Sequence, residues 1–347
     1  MPDHRRNVGI VAIGRNEGER LERCLRSAVA VAVTDRVVYV DSGSTDDSVA
    51  FARSLGVEVV NLDTSIPFTA ARARNEGIAR LKERWQGIEF VQVLDGDCEL
   101  QPGWIDAAMT FMQSHDRVAV VCGRTREQYP EASVYNRLCD LEWDTPVGPA
   151  RSCGGNALLR LEVFDAVGGY NPGIIAGEEP ELCVRVRGRG YEVHRLDQEM
   201  TLHDAAMTRF DEYWQRAKRA GHACAQGADM HGKPPERHGV RQTWSALIWG
   251  LLLPVAALLT AYWTHGVSLV LYMALVVIQI WRIRRNELQR GRSKRNAILL
   301  GVFFMIAKYA QASGVLLYWY RRLTGRHATL IEYKHGEEKP PMGGTNA

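Results

Sequence analysis

No Cys-x-x-Cys pair occurs among Cys24, Cys98, Cys122, Cys139, Cys153, Cys183 and Cys224, and their spacing is irregular. That argues against a zinc site and for reduced thiols rather than a disulfide framework. No charge of one sign prevails: the net charge is +3 over 347 residues. No nucleic-acid partner is therefore expected. No signal-peptide core follows Met1-Pro2-Asp3-His4-Arg5-Arg6; the chain runs straight into a strand-like segment. The part before residue 231 is accordingly expected in the cytoplasm. No glycine-rich basic phosphate loop follows the first apolar run either, since Gly14-Arg15-Asn16-Glu17 stands in that place.

What is present begins with Leu94-Asp95-Gly96-Asp97, at the end of the apolar run 90–94. Side chains alternate along a strand, so Asp95 and Asp97 point to one side. Gly96 between them admits a close approach to the backbone. Two such carboxylates suit a hard cation, Mg2+ or Mn2+, that keeps positions for substrate phosphate oxygens. A lone Asp-x-Asp is more often a solvated turn. Here further acidic and basic clusters accompany it.

Along the chain, apolar runs at 8–13, 36–40, 57–61, 90–94 and 118–122 predict strands. Periodic segments at 21–33, 48–55, 69–81 and 104–114 predict helices between them. Strands alternating with helices imply an α/β fold, a mostly parallel Rossmann-like sheet with helices on both faces and ligands at the strand carboxyl ends. Asp41 closes the second strand, where a carboxylate suits a base or ribose but also a helix-capping turn. Asp46 or Asp47 is positioned to cap the helix that follows. Arg72 and Arg74 suit bidentate diphosphate contact or simple solvation. Residues 128–156 read as irregular. A short strand at 157–160, a helix at 162–167 and a helix running to Arg189 come next. Glu178, Glu179 and Glu181 precede or open that last helix, more acid than a helix dipole requires.

Six segments in one order resemble family 2 glycosyltransferases of the GT-A fold: Arg15-Asn16-Glu17, Val40-Asp41-Ser42-Gly43-Ser44-Thr45-Asp46, Ala73-Arg74-Asn75-Glu76-Gly77, Asp95-Gly96-Asp97, Cys153-Gly154-Gly155-Asn156 and Gly177-Glu178-Glu179. The likeness covers residues 8 to about 227. Many relatives carry Glu-Asp where this chain has Glu178-Glu179. The resemblance implies a nucleotide-sugar donor, with Arg15, Glu17, Asp41, Ser44, Arg74, Asp95, Gly155 and Asn156 around it and a uridine nucleotide as the commoner choice. It implies Mg2+ or Mn2+ held by Asp97 and Asp95, with His203 as a further contact, and Glu179 as base with Glu178 beside it. Direct displacement then inverts the anomeric carbon.

The segment 210–226 reads as an amphipathic helix. Arg216, Arg219 and His222 recur three apart on it, resembling the basic acceptor-side helix of exopolysaccharide-type relatives and facing a lipid diphosphate. A solvated charged helix is the equal alternative for it, and a buried, hydrogen-bonded side chain is the plainer account of His203.

Domain limits follow from composition: a cytosolic catalytic unit 1–230, a polar linker 231–242, a membrane region 243–322 and a tail 323–347 whose end is expected to be disordered. Residues 243–263 carry no charge and suffice to span a bilayer. Residues 267–281 form a second apolar run, making a hairpin. Arg282, Arg284, Arg285, Arg290, Arg292, Lys294 and Arg295 then return to the cytoplasm as a basic loop. The third run, 297–320, contains Lys308 and Gln311 and is followed by Arg321, Arg322 and Arg326. Those charges favour a helix lying in the membrane plane over a third span.

The expected activity is metal-dependent, inverting transfer from a nucleotide sugar to a polyprenyl-diphosphate-linked saccharide at the inner membrane, in surface or exopolysaccharide synthesis. The alternatives are a polyprenyl-phosphate sugar synthase, whose anionic acceptor needs no base, and, from another class, a nucleotidyltransferase or a non-catalytic membrane scaffold. Processive synthesis is disfavoured because Gln-x-x-Arg-Trp is missing and Gln215-Arg216-Ala217-Lys218-Arg219 only partly resembles it.

Overall fold

The structure is a computed structural model and describes residues 7–31 and 36–325. The expectations for residues 1–6, for a first helix reaching Val33 and for the tail 326–347 lie outside the described residues.

The first half is a run of strand–helix units. Strands β1 (Val8–Gly14), β2 (Val37–Asp41), β3 (Glu58–Asn61) and β4 (Phe90–Asp95) are connected by helices α1 (Glu19–Val31), α2 (Ser48–Ser54) and α3 (Ala70–Arg84). All pair in parallel, in the order β3-β2-β1-β4. β1, β2 and β4 are buried almost throughout, which is why they read as continuous apolar runs. Helix α3 lies close on β1 and β2, because Gly77 faces Val11 and Val40 at a distance that no Cβ could share.

Beyond β4 the sheet changes character. β5 (Cys98–Leu100), α4 (Trp104–Gln113), β6 (Val118–Glu127), α5 (Val134–Trp143), β7 (Gly148–Pro149), β8 (Ala157–Arg160), α6 (Leu161–Ala166), α7 (Glu178–Gly188) and β9 (Glu192–His203) follow in the chain. β8 is antiparallel to both β4 and β6. β9 is parallel to β6 and antiparallel to β5 and β7. The expected parallel sheet is therefore its β3-β2-β1-β4 half, and the whole is a mixed α/β sheet. The pairing of β5 with β9 sets Cys98 opposite His203, which brings a late residue beside Asp97.

Residues 128–156, read as irregular, contain α5. Ser133 caps it by accepting from the Asn136 amide at 2.9 Å. Its buried side Leu138, Cys139 and Leu141 is short and flanked by polar loops, so its period is faint in the sequence.

The C-terminal region is helical: α8 (Phe210–His231), α9 (Val240–Leu247), a π-helical turn Ile248–Leu252, α10 (Leu253–Thr260), α11 (Val267–Gln289) and α12 (Lys294–Thr324). Three stretches, Val240–Thr260, Val267–Gln289 and Lys294–Thr324, are long and apolar enough to cross a membrane. The basic segment after residue 281, expected as a loop, instead prolongs α11 to Gln289. Arg, Leu and Gln are good helix formers, and the turn waits for Gly291, whose φ is 81°.

Candidate active site

Arg74 is the hub of the site. It points inward from α3, where it is 2% exposed. Its Nη2 donates to Asp95 Oδ1 at 2.7 Å and to the Gly155 carbonyl at 3.3 Å. Its Nη1 stands 2.9 Å from Glu178 Oε1 and 2.9 Å from Glu179 Oε1. One guanidinium thus gathers three carboxylates from β4 and α7, and the charge balance there is negative. Arg74 thereby ties β4, α7 and the 153–156 loop together. Asn75 supports it from the same helix, exchanging two hydrogen bonds with the backbone of Tyr170.

Burial first, then the adjacent Glu178 carboxylate, push the Glu179 carboxyl from the ordinary range to about 7, with Arg74 pulling the other way. The Glu178 side chain is 4% exposed, whereas that of Glu179 keeps 13% exposure. Both start α7 after Gly177, whose φ of 84° ends the preceding loop in the left-handed region. Of the pair, Glu179 has the access and the proton affinity for proton transfer near neutral pH.

A second cluster forms where β5 meets β9. Asp97 Oδ2 lies 3.1 Å from His203 Nε2. With Cys98 Sγ they make a group whose donor atoms all fall within 4.8 Å of one another. A carboxylate and an imidazole fit Mn2+, whereas Mg2+, which takes oxygen ligands, would use only the carboxylate. The Cys98 thiol is soft, and burial followed by Asp97 keeps its pKa well up. Nδ1 of His203 is buried without a hydrogen-bond partner. The Trp143 ring stands edge-on to His203 at 4.5 Å. Asp95 belongs to the Arg74 hub, and its side chain is not part of this group. Asn156 joins the two clusters: its Oδ1 accepts from the Asp95 amide at 2.8 Å and its Nδ2 donates to Cys98 Sγ. Gly155 is required beside them, since a Cβ there would lie 2.2 Å from Asp95 Oδ2.

The loops after β1 and β2 are stitched together. Asp41 accepts from the Gly43 and Ser44 amides at 2.9 Å each and from the Tyr39 hydroxyl at 3.0 Å. Ser44 Oγ accepts from the Asn16 amide, and Asn16 Oδ1 accepts from the Thr45 amide. Asp46, not Asp47, supplies the helix-start contact, accepting from Ser48 and Gly18 amides. Arg15 lies over the Phe68 ring at 4.8 Å, and Glu17 pairs with Arg20 at 3.0 Å. Arg72 braces the 63–66 loop through the Asp63 and Ile66 carbonyls.

Of the three candidates on α8, His222 is set apart from Arg216. Arg216 pairs with Glu142 of α5 at 2.7 Å. Arg219 is half-buried. His222 is 1% exposed, lies edge-on to Tyr318 of α12 and has its pKa lowered to about 4 by burial and then Arg321. A spacing of three drifts around a helix of 3.6 residues per turn, and the drift carries His222 under α12. Sequence reasoning passed over Trp143 and Asp204. Asp204 donates its amide to the Asp97 carbonyl and pairs with Arg23 at 3.2 Å. Nothing but adjacency to His203 marks Asp204, and nothing marks Trp143.

The profile of glycosyl transferase family 2 matches residues 10–167. The succinoglycan biosynthesis protein ExoA of Rhizobium meliloti (strain 1021) is 25% identical over 258 residues, 71% of this chain and 73% of that protein. A TPR repeat-containing protein of Synechococcus elongatus is 36% identical over 93 residues, 27% of this chain and 21% of that one. The solved mannosyltransferase PcManGT from Pyrobaculum calidifontis, in complex with GDP-Man and Mn2+, shares the fold. It aligns with a TM-score of 0.63 at 16% identity, over 91% of this chain and 88% of that one.

Proposed function

Since the chain belongs to glycosyl transferase family 2 through residues 10–167, we propose that it transfers a sugar from a nucleotide-sugar donor to a lipid-linked saccharide, with inversion. A uridine diphosphate donor and a polyprenyl-diphosphate-linked acceptor are the specific reading, in bacterial surface or exopolysaccharide assembly. The observation that carries it is the division of labour between two clusters. Glu179 has a carboxyl raised to about 7 on one side. Asp97 and His203 converge on the other.

The donor nucleotide rests on the stitched loops that carry Asp41, Ser44 and Arg15. Asp97 and His203 would hold a divalent cation such as the Mn2+ that the PcManGT complex contains. When bound, the cation supplies positive charge against the departing diphosphate. Arg74 keeps Asp95 and both glutamates in place. Glu179 takes the proton from the acceptor hydroxyl as that oxygen attacks the anomeric carbon. The bond to the diphosphate breaks as the new glycosidic bond forms, and the nucleoside diphosphate leaves with the electron pair. One displacement inverts the centre. A hydroxyl acceptor needs such a base and a phosphate acceptor does not, so the raised Glu179 favours the saccharide over a bare polyprenyl phosphate.

The hairpin 240–289 anchors the enzyme in the cytoplasmic membrane with the catalytic part on the cytoplasmic side. Its outer surface is apolar, with Leu258, Leu259, Tyr262, Trp263 and Val270 each more than 60% exposed. The basic residues at its base suit the cytoplasmic face.

Detergent-purified protein offered a panel of nucleotide sugars, with and without Mn2+, tests the reading. The acceptors are a polyprenyl-diphosphate saccharide extract and plain polyprenyl phosphate. Metal-dependent transfer to the saccharide is expected. Transfer to the bare phosphate alone would replace it with a polyprenyl-phosphate sugar synthase.

A further inference from the structure

We propose that Arg292 is a positioning residue for the metal site. From the turn between the apolar helices α11 and α12 it holds the end of α5, and so the Trp143 ring, against His203. This rests on Asp97 and His203 being metal ligands and goes beyond it by naming what orients one of them.

A metal-binding imidazole is ordinarily oriented by a hydrogen bond from its other ring nitrogen to a carboxylate, a carbonyl or water. His203 has no such bond among the described residues. Its Nε2 faces Asp97 at 3.1 Å, and its Nδ1 is buried without a partner. His203 is the last residue of β9, so pairing with β5 holds its backbone but leaves the ring free to rotate. What stands against the ring is Trp143, with 4.5 Å between centroids and 80° between planes. Edge-to-face packing there takes the place of the missing hydrogen bond and fixes the turn of the imidazole.

Trp143 is the last residue of α5. A helix end leaves its final carbonyls short of partners and attracts cations. Here the cations come from far along the chain. Arg292 Nη2 donates to the Leu141 carbonyl at 2.7 Å and to the Asp144 carbonyl at 3.1 Å, on either side of Trp143. Arg290 adds a bond to the Asp144 carbonyl at 3.2 Å. Arg216 of α8 holds the neighbouring Glu142 carboxylate at 2.7 Å.

Arg292 is itself fixed. After Gly291 turns the chain, its amide donates to the Glu287 carbonyl at 3.1 Å and its Nε to the Glu287 carboxylate at 3.0 Å. Both side chains are only 10% exposed. A preference of basic residues for the cytoplasmic membrane face accounts for exposed members of this segment, not for a buried one. One planar guanidinium serves a carboxylate and two carbonyls at once, which an ammonium on a flexible stem cannot do. The line of contact therefore runs from Glu287 of α11 through Arg292 and the end of α5 to Trp143 and His203, and it joins the apolar helices to the metal site.

The test is Mn2+ binding by the full chain in detergent. Free Mn2+ is read by electron paramagnetic resonance, and spin-echo spectra of the bound ion report a coupled histidine nitrogen. The parent is expected to show that nitrogen and His203→Ala to lose it. Arg292→Ala and Trp143→Ala should each weaken Mn2+ binding by about 10–100-fold, the usual worth of a group that orients a metal ligand, and diminish the nitrogen signal at saturating Mn2+. Arg292→Lys and Trp143→Phe should recover part of the loss. Arg137→Ala is the control for general loosening of α5: Arg137 ties the first turn of that helix to Asn296 of α12 at 3.4 Å, and its loss should leave Mn2+ affinity unchanged. Parent-like affinity in either Arg292→Ala or Trp143→Ala, or an equal loss in Arg137→Ala, would overturn the inference. If Asp97→Ala and His203→Ala still weaken binding in that case, the metal site itself stands. Parent-like binding in those two variants would remove the metal site and this inference together.

Discussion

Nη1 of Arg74 stands 2.9 Å from Glu179 Oε1, so the buried cation of α3 directly holds the carboxylate best suited to take a proton. The same nitrogen reaches Glu178, and the other reaches Asp95. Removing the cation leaves three carboxylates without their common partner. Arg74→Ala is expected to lose about 3–5 kcal/mol of stability, read as a lowered urea midpoint. Arg74→Lys keeps the charge without the fork and should lose less. An Arg74→Ala protein as stable as the parent would show that the hub does not hold the fold.

Glu179→Gln should bind donor nearly as the parent does and lose transfer by about 10²–10⁴-fold, the usual worth of a positioned base. Donor affinity and single-turnover transfer measure the two separately. If Glu178→Gln shows that loss while Glu179→Gln transfers normally, the buried glutamate is the base.

The pH profile carries a sign. The Glu179 carboxyl is raised to about 7 by burial and then by Glu178, and it must be deprotonated to accept a proton. Transfer should therefore rise with pH and level off above about 7. Glu178→Gln removes a neighbouring negative charge and should move that inflection downward. The linked stability runs the other way. The folded state holds this proton more tightly than the unfolded one, so this group's contribution falls as pH rises from the ordinary carboxylate range to about 7. Glu179→Gln should flatten that fall in a series of urea midpoints.

Asp97→Ala and His203→Ala should each weaken Mn2+ binding and cut metal-dependent donor turnover by at least about 10²-fold, because charge on the leaving diphosphate is then uncompensated. Chelation of the parent should do the same and be reversed by added Mn2+. Direct titration of metal binding separates this from misfolding. Unchanged affinity in both variants would move the metal elsewhere.

Gly155→Ala places a Cβ 2.2 Å from the present position of Asp95 Oδ2. Asp95 must then leave its bond with Arg74. The protein is expected to fold and to transfer more slowly. A crystal structure of the variant with Asp95 unmoved, or undiminished transfer, would contradict that.

Much of the molecule was written in the chain. The buried runs of β1, β2 and β4 and the periodic faces of α1 and α3 follow from local apolar spacing, since burial on two faces or on one stripe selects those patterns. The resemblance around Asp95, Asp97 and Glu178-Glu179 was readable because those residues sit in short contiguous segments. The apolar hairpin needed only length and hydropathy. Tertiary structure decided what sequence spacing cannot encode. His203 joins Asp97 through antiparallel pairing of strands more than a hundred residues apart in the chain. Arg74 turns inward because the carboxylates awaiting it come from β4 and α7. His222 leaves the Arg216 face because α12 closes over it. Local sequence fixes how each segment folds on itself. Which charges meet is settled by long-range register and packing, where the cost of an unpartnered buried charge selects the arrangement.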